Sequence, residues 1–248
     1  MNNYFNLQRF LQTLKNDIIR NSRNYLITLG AIAGILTSID LLPGIITGKT
    51  LVPVHGYLPL FMLMGYIFSS LVFNEMHDPQ KGLVFLTTPS SSLEKLFSKL
   101  LITSLLYVLV MWLFFQALTL FLNGLNAIFF GTEPTRFTFH WGIARIFIIT
   151  QSVFLFASGY FRKNAFLKLL FAGFVLQMFF SFFSIINFKL FFNISDFHNI
   201  EIDALDLDMG RMADLIKALV YGARFTFLWL MAPFFWFMTY LRIAEKEV

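Results

Sequence analysis

Six continuous apolar runs, each about as long as a lipid bilayer is thick, restrict what this chain can fold into. They extend over Tyr25–Ile46, Tyr57–Phe73, Leu96–Leu122, Trp141–Phe161, Ala165–Phe188 and Phe225–Leu241. Crossing roughly 30 Å of hydrocarbon takes about 20 helical residues. Only helices and closed barrels satisfy their backbone groups there. Barrel strands would alternate apolar and polar residues over about ten positions, and these runs do not alternate. The reading is therefore an all-α integral membrane protein of about six transmembrane helices, with residues 1–248 forming one domain. Composition agrees: of 248 residues, 57% are hydrophobic and 13% charged, and the mean hydropathy is +0.69. Soluble domains carry about twice that share of charge.

Several function classes fall away on the same grounds. With no Cys, the chain has neither disulfides nor thiolate metal sites. The 34 Phe residues suit helix surfaces facing lipid and one another and imply no ligand. Residues Met1 to Ser22 are polar and periodic, without the charged tip and apolar core of a cleavable signal peptide, so the first span is expected to target the chain.

Orientation follows from Lys and Arg, which accumulate in short cytoplasmic loops. Placing both termini in the cytoplasm puts twelve of the nineteen basic residues inside, among them Arg9, Lys15, Arg20, Arg23 and the tight Arg162-Lys163 turn. The net charge of +5 thus marks a cell membrane (the inner membrane if bacterial) and its anionic lipids, not a nucleic acid.

Two segments read as amphipathic. In residues 1–24, Leu7, Phe10, Leu11, Leu14 and Ile18 recur at helical spacing among polar residues, predicting an interfacial helix along the inner leaflet. Within 193–224, an acidic stretch precedes an apolar stripe of Met212, Leu215, Ile216 and Leu219, with Arg211, Asp214 and Lys217 on the other side and Arg224 leading into the last span. A short outer helix is expected there.

Between the second and third spans lies the most informative polar segment, 74–95. It begins Asn74-Glu75, continues Lys81-Gly82-Leu83-Val84-Phe85-Leu86-Thr87-Thr88-Pro89, and restarts as a helix at Ser91 with Glu94 three residues on. Ser followed by Glu at that spacing is a capping box. Pro89 removes a backbone donor and disfavours helix just before it, leaving two arms with a break between them.

Glu75, Gly82 to Pro89, Leu93-Glu94-Lys95 and Lys99 resemble, in this order, the cytoplasmic loop of type-2 ATP-binding-cassette (ABC) permeases, small six-span subunits. The resemblance in residues is confined to Asn74–Leu101; elsewhere it lies in layout. It implies an N-terminal elbow helix (1–24), a coupling loop (74–95) and an outer gate helix bearing Arg211, Asp214, Lys217 and Arg224. It also implies function: a transport subunit of an exporter, paired with a second permease copy and with ABC ATP-binding subunits that bind the ATP. The chain itself would then be no enzyme and hold no cofactor. Leu83, Phe85 and Leu86 would be the apolar plug docked on the ATPase, Glu75 and Lys81 its polar contacts, and Thr87, Pro89, Ser91, Glu94 and Lys99 the hinge and start of the third helix. Ser90-Ser91-Ser92 departs from relatives that carry a basic residue there. The alternative reading is a multi-span membrane scaffold or assembly factor without energy coupling.

Catalytic patterns fail. Gly44 to Thr50 imitates a phosphate-binding loop, but three residues separate its glycines where four are needed, and it follows a membrane span instead of a strand. His55, His77, His140 and His198 are too scattered for a zinc pattern. Ser158, between Ala157 and Gly159, has no His within a span to serve as base. Charges are sparse within the spans; Asp40, Arg145, Lys189 and Arg224 fall toward their outer ends, where solvation at the membrane surface is expected.

Overall fold

The computed structural model describes residues 5–47, 54–79, 82, 85, 87–131, 133–191, 217–218 and 220–247. Every regular element among them is helical. Six helices are long and apolar enough to cross a membrane: α1 (Leu7–Thr47), α2 (Val54–Leu71, continued by a 3-10 turn at Asn74–His77), α3 (Ser92–Phe130), α4 (Trp141–Tyr160), α5 (Ala165–Phe191) and α6 (Val220–Lys246).

Helices long enough for the six expected spans are present, most of them with longer ends than the apolar runs suggest, while α4 stops one residue short of its run. One boundary differs in kind. The interfacial helix expected over 1–24 is not a separate element: the described chain from Leu7 to Thr47 is one unbroken helix of 41 residues, about 60 Å of axis at 1.5 Å per residue. The cause is local, since neither Gly nor Pro interrupts residues 7–29 and the polar positions carry helix-compatible side chains. Its first half does not rest free on a membrane surface either, being packed against the start of α3. The outer helix expected within 193–224 lies, up to residue 216, outside the described residues, Arg211 and Asp214 included. Lys217 and Arg224 are helical and exposed.

Lipid tails are as apolar as Leu, so association of spanning helices relies on close packing and on buried hydrogen bonds. Both are present. α4 is the most enclosed helix, flanked by α2 and α6. Where it meets α2, Gly65 faces the Phe147 ring so closely that a Cβ there would fall within it. Aromatic rings fill the rest of this core: Tyr57 stacks on Phe115 at 4.7 Å, Phe61 meets Phe147 at 4.8 Å and Tyr66 stacks on Phe154 at 4.5 Å. At mid-depth Gln151 of α4 is fully buried, accepts from Ser69 Oγ of α2 at 2.7 Å and donates to Ser104 Oγ of α3. One amide thereby ties three helices.

Ser104 lies within a π-helical turn, Ile102–Leu106, and a second such turn, Thr226–Leu230, interrupts α6 after its first six residues. Extra residues of this kind widen a helix locally and shift the register of the turns beyond them. In contrast, α5 is peripheral: beyond Ala165 none of its described side chains is buried, and Phe171, Phe174, Phe179, Phe182 and Phe183 all point outward. It meets only α2 and α4 among the described elements with substantial contact.

Candidate functional site

The polar segment between α2 and α3 sits at one end of the bundle, beside the first half of α1 and the last turns of α6. Its construction starts at Ser91. That residue is extended (φ −69°, ψ 157°), its hydroxyl accepts from Glu94 N, and Glu94 Oε2 accepts from Ser91 N at 2.9 Å. The capping box read in the sequence is formed. Residues 88–90, around Pro89, are bent and non-helical, as the proline requires.

Glu94 does more than cap. Fully buried, it also accepts at Oε1 from Asn6 N at 2.6 Å and from Arg9 Nη2 at 3.1 Å. One turn and a half further on, Lys99 Nζ donates to Asp17 Oδ1 at 2.8 Å while Ser98 Oγ donates to Asp17 Oδ2 at 3.0 Å. Arg20 of α1 then reaches Glu75, just beyond α2, at 3.6 Å. Arg9, Asp17 and Arg20 follow one another at intervals of eight and three residues along one helix, and each pairs with an opposite charge on the far side. We term this ladder the cradle. A carboxylate holding two or three donors is well solvated by protein, which is what permits Glu94 to be buried.

On the other flank, Lys246 near the end of α6 donates to His77 Nδ1 at 3.1 Å and to the Met76 carbonyl at 3.5 Å. A lysine ammonium has no acceptor, so His77 Nδ1 carries no proton; His77 is neutral and its Nε2–H donates to the Ser158 carbonyl at 3.2 Å. Ser158 Oγ itself donates to the Leu155 carbonyl at 2.7 Å. His77 thus reaches the backbone of Ser158 and not its hydroxyl, so no nucleophile and base are assembled. Among the described residues no group of His, Asp and Glu could hold a metal, and Gly44 to Thr47, part of the phosphate-loop imitation, lie within α1.

The expected docking residues are distributed differently from one another. Thr87 and Pro89 are exposed. Gly82 is buried, donates to the Asp78 carbonyl at 2.8 Å, and a Cβ there would come within 3.3 Å of the Met76 carbonyl. Phe85, expected as an outward plug, is half-buried: its ring meets Phe73 edge-on at 6.5 Å and lies 4.9 Å beneath Lys95 Nζ. An apolar ring with Phe73, Met76 and Leu96 at hand packs inward. Lys81, Leu83 and Leu86 lie outside the described residues.

A cleft of about 440 Å³ opens between α1, α2 and α3. Asp17, Asn21, Asn24, Glu75 and Lys99 form its polar mouth, and Ile32, Met64, Phe68, Leu106, Tyr107 and Met111 line the apolar remainder. Such a cleft suits an amphiphile with its polar head at the cradle.

At the opposite end, Asp40 departs from expectation. It is not solvated at the membrane surface but fully buried, with Oδ2 accepting from Asn126 Nδ2 of α3 at 2.8 Å. The partners Asp17, Asn126 and Gln151 were not singled out from the sequence, and Arg9 was read only as an orienting charge. Asp17 and Arg20, three apart on a helix that enters an apolar run, were the one visible signal.

The chain matches no family model, no curated protein and no solved structure.

Proposed function

We propose that this chain is the membrane-spanning permease subunit of an ABC exporter, driven by a separate ATP-binding subunit that docks at the 74–95 segment. The observation that supports it is the cradle: the segment, with exposed Thr87 and Pro89, is tied through Glu94 to Arg9 of α1 and through the capping box to α3, where Lys99 pairs with Asp17. Force applied between Thr87 and Glu94 reaches two membrane helices, α1 and α3. In this reading the cradle end is cytoplasmic, with both termini beside it. Phe85 acts as an internal brace, and Thr87, Pro89 and Leu86 meet the ATPase.

The amphipathic cleft favours a substrate with a polar head and an apolar body, entering between α1 and α3. The outward Phe surface of α5 is available to lipid or to the second permease copy. The test is co-purification from native membranes in mild detergent, with ATP hydrolysis as the readout. An ATPase retained by the wild-type chain and lost from Leu86→Asp/Thr87→Arg supports the reading. Equal retention by that variant, or the absence of any ATPase from the wild-type preparation, refutes it and leaves the scaffold.

A further inference from the structure

Asp40 and Asn126 leave two polar atoms unexplained. Asp40 Oδ2 accepts from Asn126 Nδ2, yet Asp40 Oδ1 and Asn126 Oδ1 are both buried without a hydrogen-bond partner. Asp40 is 0% and Asn126 1% exposed. Buried orphans of this kind are rare, and each forfeits its hydration without a hydrogen bond in return. Here two of them belong to side chains already bonded to each other.

The two groups differ in what they offer. The edge of a primary amide presents one donor and one acceptor. An ionised carboxylate presents two acceptors, so edge to edge one pair of oxygens is left facing without a hydrogen, whichever way the amide is turned. A carboxylic acid presents one acceptor and one donor and matches the amide at both positions. No described cation acts on Asp40: α3 contributes Asn126, and the nearby ionisable group from α2 is Tyr57. Burying an unpaired carboxylate in such surroundings is far costlier than burying the acid.

From this juxtaposition we infer that Asp40 is a proton-binding site within the first span, its bound proton donated from Oδ1 to Asn126 Oδ1 to close a two-bond acid–amide ring between α1 and α3. The ring stands 23 residues beyond Asp17 on α1, about 35 Å along the axis, and so fastens the same two helices at the end opposite the cradle. Parting α1 from α3 there breaks both bonds and admits water, and the exposed acid releases its proton. The helix contact and proton occupancy are one equilibrium.

Infrared spectroscopy of the full chain in lipid nanodiscs at neutral pH tests this. The wild type is expected to show a carboxylic-acid C=O stretch, shifted in D2O and absent from Asp40→Asn. That variant should fold with wild-type thermal stability, because an Asn at position 40 can donate and accept in the same two places. Asn126→Leu leaves the acid without its partner; its band should move to the position of a free acid, with a lowered melting temperature. Three results would each overturn the inference: a wild-type spectrum with no acid band, a band that persists in Asp40→Asn, or an Asp40→Asn protein destabilised as much as Asp40→Leu. The last two would mean that the proton lies elsewhere or that a charge at position 40, balanced by a cation, is what the fold requires.

Discussion

Lys99 of α3 donates to Asp17 of α1 at 2.8 Å, with their side chains only 6% and 17% exposed. The pair holds the two helices in register at the point where the described chain enters the bundle, and Ser98 completes the solvation of the same carboxylate. Removing one partner strands a nearly buried charge.

Accordingly Lys99→Met should destabilise the protein by about 3 kcal/mol, and Asp17→Leu by a similar amount. The double variant should recover most of that loss, because the packed stems remain and no lone charge is left. Thermal unfolding in detergent, analysed as a double-mutant cycle, reads the coupling.

Glu75 and Arg20 are more exposed and 3.6 Å apart, so their pair contributes little to stability, about 0–1 kcal/mol. Its expected role is alignment of the segment after α2. Glu75→Arg should leave the melting temperature nearly unchanged while lowering ATP turnover of the complex with the proposed ATP-binding subunit. The swapped Arg20→Glu/Glu75→Arg protein should regain it, most clearly at low salt.

Gly65 has no space for a methyl group beneath Phe147. Gly65→Ala should cost about 1–3 kcal/mol through overpacking, despite alanine's better helix propensity. Shortening the opposing ring with Phe147→Leu should relieve it in part. The outcome is measured by comparing the three melting temperatures.

Glu94 serves the helix cap and α1 together. Ser91→Ala should cost about 1 kcal/mol, the usual loss for a cap. Glu94→Ala should cost more, since it also releases Asn6 N and Arg9. Hydrogen exchange separates the two: Ser91→Ala should speed exchange only at the first amides of α3, and Glu94→Ala also in the first turns of α1.

What could be read from the sequence was whatever a few neighbouring residues decide. The spans follow from length and apolarity, and the box at Ser91 and Glu94 from a three-residue spacing. The pairs Arg9–Glu94 and Asp17–Lys99 span 85 and 82 residues, and no local pattern announces them. The burial of Asp40 and the inward turn of Phe85 were missed for a related reason: each depends on what a distant segment places opposite, Asn126 in one case and Phe73 with Lys95 in the other. The amphipathic period of residues 7–18 was legible, but not that the helix it belongs to continues without interruption to Thr47.

That continuity has a mechanical meaning. A rod about twice as long as the hydrocarbon is thick, with no joint between its polar and greasy arms, carries a displacement of one arm along its length to the other. A push on one face of the membrane would then be felt at the other.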